Sequence, residues 1–345
     1  MEITRSGLLF SGPFSRYHAR LSSNDFSAMP GPILIIDAKA EFYREKLSAK
    51  FPSVRLEAVS ERRRVTGDEL AEAEAIVGLG TAHVFDEALL EGAKRLKWIQ
   101  ALTTGVDGIL SLRSLKPEVV ITTNTGIHGP QMSEMAFMHM LNLARQAPRM
   151  WENQKIARWE RWTQIRLCGK TALILGIGSI AESLGPRCKA FGMTVIGVSG
   201  TPRPVPGFDR IVPRAELMQV VPQADFLVIL LPLRPENVKL VDAKVIAAMK
   251  KGSYLVNIGR GAVCDEEALL QAVKGGHLAG AGLDVFSTTP LPPDHPLWRT
   301  PNVLISSQVA GGSDVNHLLN LPIIEGNLRF FLDGRFADMQ NRVAR

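Results

Sequence analysis

Two short stretches of this chain place chemically useful residue types at informative spacing. The first is Gly176-Ile-Gly178-Ser179-Ile180-Ala181, which follows the apolar run 171–175 and opens a helical pattern over 179–191. Glycine at the first position permits a tight strand-to-helix turn. Glycine at the third lets backbone approach a pyrophosphate, and alanine at the sixth keeps the helix close to the strand. Free N–H groups at such a helix start carry partial positive charge that suits phosphate. A glycine pattern alone is weak, but a strand before it and a helix after it are what a dinucleotide site requires. The second stretch is Val198-Ser199-Gly200-Thr201-Pro202-Arg203, at the end of the next apolar run. An NAD site usually has Asp or Glu there to hold the ribose 2′-hydroxyl. Ser199 removes the carboxylate that would repel a 2′-phosphate, and Arg203 can pair with that group. NADP is therefore favoured as cofactor, with NAD possible.

These groups need a scaffold, and the hydrophobic pattern supplies one. Strand-sized runs at 33–36, 75–79, 98–102 and 119–123 alternate with helical stretches such as 40–49. A second series has strands at 171–175, 194–198, 226–231, 254–258, 282–285 and 303–306, with helices near 214–221, 241–250 and 265–274. Alternation of this kind gives parallel sheets with crossover helices, and six strands in the second series suit a doubly wound dinucleotide domain. The stretch 131–145, opened by Gly129-Pro130, is apolar on nearly all sides and is expected to lie buried between two domains. Residues 149–166 show no period and read as a surface connection, and an amphipathic helix over 323–332 closes the chain.

The bulk numbers agree. A chain of 345 residues, 46% hydrophobic and 21% charged, is an ordinary globular composition long enough for two domains. Its net charge of +6 favours anionic ligands, but Lys and Arg are scattered among acids, so no nucleic-acid partner is expected. Cys168, Cys188 and Cys264 are too few and too scattered for a disulfide framework or a zinc site, and no metal is expected. The best apolar run, 226–231, is strand-sized and stopped by Pro232, so no membrane span is expected. The few scattered cysteines fit a reducing compartment, and a cytoplasmic location is expected. Residues 1–28 carry Arg5, Arg16 and Arg20 against Glu2 and Asp25. They read as a disordered tail, or as an extension upstream of a start at Met29; a mitochondrial transit peptide is the other reading.

Residues 224–312, with NIGRGAV (257–263) and GLDVF (282–286), closely resemble the NAD-binding domain of the D-isomer-specific 2-hydroxyacid dehydrogenases. Within that family the chain looks most like the glyoxylate/hydroxypyruvate reductase branch. WIQALTTGVDG (98–108) resembles the family's substrate loop, and NTGIHGPQMSEMAF (124–137) the start of its interdomain helix. The resemblance runs from Ile33 to the end of the chain. It implies an α/β fold in which a doubly wound Rossmann domain, 124–309, is inserted in a smaller flavodoxin-like substrate domain, 29–123 plus 310–345. It also implies a homodimer with 132–143 in the interface. Arg260 matches the substrate-binding arginine, whose guanidinium clamps a carboxylate and polarises the adjacent carbonyl. Thr103, Thr104 and Gly105 match the loop whose N–H groups hold the substrate carboxylate, and Asp284 matches the residue that contacts the nicotinamide carboxamide. Cofactor contacts are further implied for Thr104, Gly176, Gly178, Ser179, Ile180, Ser199, Arg203, Pro232, Ile258, Arg260, Gln308 and Gly311.

Two positions depart from the family pattern. Glutamate normally precedes the proline where Thr289-Pro290 stands, and Pro-His normally stands at Ser307-Gln308. The histidine exchanges the proton at the substrate oxygen while hydride moves, and the glutamate orients it and raises its pKa. Gln308 donates a hydrogen bond but has no proton to exchange near neutral pH. The catalytic set implied is Arg260, Gln308 and Thr289, acting on a small 2-oxo or 2-hydroxy acid. His128 and His317 are the histidines that the sequence places nearest these motifs, although surface or packed imidazole is the simpler reading of each. A catalytically weak sensor or binding module on the same fold, and oxidation of a substrate that needs no acid, as formate would be, are the alternatives.

Overall fold

In the computed structural model, residues 31–345 are described; the expected tail, 1–28, lies outside the described residues. The strands are β1 (Ile33–Ile36), β2 (Leu56–Val59), β3 (Ala75–Gly78), β4 (Trp98–Ala101), β5 (Val120–Thr123), β6 (Thr171–Leu175), β7 (Thr194–Ser199), β8 (Arg210–Pro213), β9 (Phe226–Ile229), β10 (Ser253–Asn257), β11 (Leu278–Leu283) and β12 (Val303–Ile305). They form two sheets. A five-stranded sheet has the order β2-β1-β3-β4-β5 and a seven-stranded sheet the order β12-β11-β10-β9-β6-β7-β8. All pairings within them are parallel. The first order is that of flavodoxin-like folds. The second is the doubly wound dinucleotide order extended by one strand.

Parallel sheets need cover on both faces, and the strand sequences are correspondingly apolar throughout. Ile33 and Ile35 point into one core with Tyr43, Leu47 and Trp98, while Leu34 and Ile36 point into another with Phe85, Leu89 and Ile99. The seven-stranded sheet repeats this. Leu173 and Leu175 face one core, and Ala172 and Ile174 face the other together with Met140, Ala181 and Leu184.

The last helix, Asn316–Leu332, returns to the first sheet. Its Ile324, Leu328 and Phe331 are buried with Ile33, Ile35 and Trp98. Buried amides fasten the return. Gln100 donates to Asn124 at 2.7 Å, Asn124 to Asn320 at 2.5 Å, Asn320 to the Tyr43 hydroxyl at 3.0 Å, and Asn327 to Gln100 at 2.8 Å. Each group finds a partner, as burial demands. The seven-stranded unit is thus an insertion in the five-stranded one.

Several expectations change, and β11 begins four residues before the expected 282–285. β2 and β8 are present in addition to the expected strands, and both lie at sheet edges. Each is short and half-exposed, which blurs the apolar signal. Residues 149–166 are not wholly irregular: Ala147–Lys155 is helical, with Pro148 in its first turn. The closing helix begins well before 323. Helix Gly129–Ala144 is as expected in extent. It packs on the seven-stranded sheet and leaves Met138 exposed.

Candidate active site

The loops at the C-terminal ends of the strands carry the chemistry. In the seven-stranded sheet, β6 lies between β7 and β9, so the chain reverses its winding there. Crossovers diverge to opposite faces at such a point and leave a crevice. Gly176, directly after β6, has φ +97°, which glycine alone adopts without strain. Gly178 caps helix Ser179–Ala190, and no side chain caps that helix start. A Cβ built on Gly178 would meet nothing within 4 Å. Protein packing therefore does not require glycine there. The uncapped N–H groups of Ser179 and Ile180 beside that open approach fit a pyrophosphate. Ala181 is fully buried against the strand.

At the end of β7, the Ser199 hydroxyl accepts the N–H of Thr201 at 3.1 Å, which shapes the turn leading to Arg203. Arg203 is half-exposed and paired with Glu182, in the first turn of helix Ser179–Ala190. The sequence reading overlooked this carboxylate because it lies on another element. The Pro232 carbonyl is taken by Asn237 at 2.8 Å. Ile258 is 1% exposed, with its side chain in the core of the seven-stranded sheet.

Arg260 follows β10, and Thr103, Thr104 and Gly105 follow β4 of the other sheet. The structure brings them together. A Cβ on Gly105 would stand 1.5 Å from Arg260 Nη2, so the guanidinium occupies the place of a side chain at residue 105. Arg260 Nε donates to Asp107 Oδ2 at 2.8 Å, and Nη1 to the Gly259 carbonyl at 2.8 Å. Asp107 was missed by sequence reasoning, although it lies two residues from Gly105 in the same loop. Thr103 Oγ1 donates to the Gly105 carbonyl at 2.8 Å and accepts the N–H of Gly80 at 3.2 Å, which stiffens the loop. His128 Nδ1 lies 3.1 Å from Thr104 Oγ1, and its ring stands 3.5 Å from where a Cβ on Gly311 would be. His128 thus joins the substrate loop to the segment after Gln308. Burial pushes its pKa below the ordinary histidine value, against a backbone contact from Asn124 that raises it. His317 instead packs edge-on against Phe42.

Gln308 is exposed and left-handed, with φ +55°. Thr289 is exposed on the loop after β11, before a cis Pro290, and no hydrogen bond links it to Gln308. Asp284, expected at the nicotinamide carboxamide, directly follows β11. It is 2% exposed, and its carboxylate already accepts from the Ser306 hydroxyl and from the N–H groups of Val309 and Ala310.

The chain matches the model of the D-isomer specific 2-hydroxyacid dehydrogenase NAD binding domain over residues 137–310, just over half its length. It is 30% identical over 281 residues to a glyoxylate reductase of Thermococcus litoralis, covering 79% of this chain and 84% of that one. It is also 30% identical over 235 residues to the mouse glyoxylate reductase/hydroxypyruvate reductase, covering 66% and 72%. A D-isomer specific 2-hydroxyacid dehydrogenase family protein from Aeromonas salmonicida superposes with TM-score 0.82 at 33% identity, over 91% of this chain and 99% of that one. An NADPH-dependent glyoxylate/hydroxypyruvate reductase from Sinorhizobium meliloti, in complex with NADP and sulfate, superposes with TM-score 0.76 at 27% identity, covering 91% and 98%. With a glycine-turn crevice at the winding reversal, an arginine laid across to the second sheet's loop and these likenesses over both units, the chain belongs to the D-isomer specific 2-hydroxyacid dehydrogenase family.

Proposed function

We propose that this protein is an NAD(P)-dependent oxidoreductase that reduces a small 2-oxo acid, of the glyoxylate or hydroxypyruvate kind, with NADP favoured. The observation that carries the reading is Arg260 resting on Gly105, where the C-terminal edges of the two sheets meet. A guanidinium there can hold the substrate carboxylate against the N–H groups of residues 103–105 and polarise the 2-oxo group. Gly176, Gly178, Ser179 and Ile180 would hold the pyrophosphate, and Ser199 with Arg203 the adenosine end; Thr104, Pro232 and the backbone of Ile258 would line the same crevice. The bound nicotinamide supplies the hydride. Gln308 would donate its side-chain N–H to the substrate oxygen, and the proton would come from water or from His128 beside Thr104. The proposed division is a substrate domain of 29–123 plus 310–345 and a nucleotide domain of 124–309. The core shared by helix Asn316–Leu332 and β1 supports it.

The experiment is NADPH consumption against glyoxylate, hydroxypyruvate, pyruvate and bulkier 2-oxo acids, in the wild type and in Gln308→His with Thr289→Glu. General acid catalysis typically contributes about 10²–10⁴-fold, so the double variant should gain turnover and acquire the pH dependence of an imidazole. Tight NADPH binding with no turnover in either form would favour a nucleotide-binding sensor instead.

A homodimer and a cytoplasmic location complete the proposal. Met138, Trp151, Ile156 and Trp159 are exposed over one stretch, Trp159 at 94%, and apolar surface of this kind marks an interaction face. Three unpaired cysteines suit a reducing compartment. No helix among the described residues is long and apolar enough to cross a membrane.

A further inference from the structure

One buried titratable side chain is not used by the chemistry above. His139, on helix Gly129–Ala144, is 1% exposed. Its ring packs on Gly282 of β11, where an added Cβ would stand 2.6 Å from imidazole Cγ. Its Nε2 is 3.1 Å from Ser306 Oγ, and Ser306 Oγ is 2.6 Å from Asp284 Oδ1. Asp284 then holds the next segment. Oδ1 accepts the N–H of Val309 and Oδ2 that of Ala310, each at 3.0 Å, and the Asp284 carbonyl accepts the N–H of Gln308 at 2.9 Å. His139 Nδ1 is buried with no hydrogen-bond partner.

Counting protons fixes the direction of this chain. A carboxylate only accepts, and serine has one proton. At 2.6 Å that proton lies between Ser306 and Asp284. The serine oxygen is then left as an acceptor, so His139 Nε2 carries the N–H and Nδ1 is the bare nitrogen. This explains the orphan: a buried lone pair is better tolerated than a buried N–H without a partner. Burial also lowers the pKa of His139, although the Asp284 charge opposes this, which agrees with a neutral ring. A leucine would fill the same space without an orphan nitrogen. What the imidazole adds is an N–H aimed at Ser306.

We propose that His139 is a positioning residue for the loop 306–311: through Ser306 it fixes the Asp284 carboxylate, which holds Gln308 in its left-handed conformation at the active-site edge. A misplacement of about 1 Å costs up to about 100-fold in rate, so such a support has leverage on turnover.

The test has a spectroscopic arm, which is independent of the proposed reaction, and a kinetic arm, which rests on the 2-oxo acid reductase reading. Nitrogen-15 spectra of histidine-labelled protein should show His139 as the Nε2–H tautomer. Amide exchange over 306–311 should be faster in His139→Leu and Ser306→Ala than in wild type. His139→Gln, whose amide can donate to Ser306, should recover most of the protection. In the kinetic arm, His139→Leu and Ser306→Ala should each lower kcat by roughly 10- to 100-fold, with NADPH Kd within about twofold of wild type. His139→Gln should recover part of the loss, and the His139→Leu/Ser306→Ala double variant should be no worse than either single one, since both cut one chain. An Nδ1–H tautomer, unchanged exchange in His139→Leu, or equal loss in the Leu and Gln variants overturns the proposal. If wild type oxidises NADPH with no 2-oxo acid, the reaction reading fails, and the tautomer and exchange results alone decide the role of His139.

Discussion

Replacing Gly178 with alanine separates folding from cofactor binding. Gly178 has φ −113° and ψ −166°, extended backbone that other residues also adopt, and its Cβ would meet nothing within 4 Å. The folded state therefore accepts alanine without strain. Restricting the unfolded chain stabilises by about 0.4–1 kcal/mol, and alanine's poorer helix capping offsets this by about 1 kcal/mol or less. Net stability should stay within about 1 kcal/mol of wild type, a Tm shift of roughly 4 °C at most. Binding is another matter, because the methyl group stands at the open approach to the uncapped helix start. Each charge-assisted hydrogen bond lost to the pyrophosphate is worth about 1.5–3 kcal/mol, or about 10- to 150-fold in affinity. Gly176→Ala is the contrasting variant. Its Cβ would lie 3.0 Å from Leu231 Cδ2 and 3.1 Å from the Leu230 carbonyl carbon at φ +97°, so it should lower Tm. Thermal unfolding with NADPH fluorescence titration reads both quantities. If Gly178→Ala binds NADPH within about twofold of wild type, the phosphate is held elsewhere and the argument from the glycine turn fails.

Arg260→Ala should abolish 2-oxo acid turnover, a loss on the order of 2–5 kcal/mol, while NADPH affinity changes little. Arg260→Lys should not rescue it, because a point charge does not reproduce the planar fork that reaches Asp107 and the loop; retained kcat/KM in either variant would remove Arg260 as the anchor. Arg203→Ala should weaken NADPH more than NADH, whereas Glu182→Gln should free Arg203 and tighten NADPH about 1.4- to 5-fold, the worth of an exposed ion pair. Equal effects on the two cofactors would show that Arg203 does not meet the 2′-phosphate. His128 and His139 both have pKa values lowered by burial from the ordinary 6.5. Below that value the unfolded chain takes up protons that the folded chain refuses, so stability is full above it and falls as pH drops, by up to about 1.4 kcal/mol per pH unit per group. Urea unfolding between pH 7 and 5 should show this slope, and His139→Gln should reduce it; a flat profile would mean that the imidazoles are not held neutral.

Much of the site was legible because it is local in the chain. Gly176, Gly178 and Ala181 owe their types to one turn between one strand and one helix, so six consecutive residues carry the signal. The buried strands were legible for the same kind of reason: parallel sheets covered on both faces demand unbroken apolar runs such as 33–36 and 226–229. Edge strands β2 and β8 escaped because exposure relaxes that demand. The family pattern located Arg260, Gln308 and Thr289, and the departure at the last two was plain in the residues themselves.

What only the tertiary structure decided are the pairings between distant segments. Glu182 and Arg203 lie on different elements, as do Asp107 and Arg260, and nothing in their spacing announces that each acid meets its arginine. The partners of the Asp284 carboxylate, Ser306, Val309 and Ala310, are likewise set by folding, more than twenty residues away in the chain. His128 and His317 stood alike in the sequence, and folding brought the first to Thr104 and the second to Phe42. Side-chain hydrogen bonds are set by distances of about 3 Å. Such proximity between residues far apart in the chain exists once the two sheets have packed, whereas backbone conformation and burial period are written into neighbouring residues.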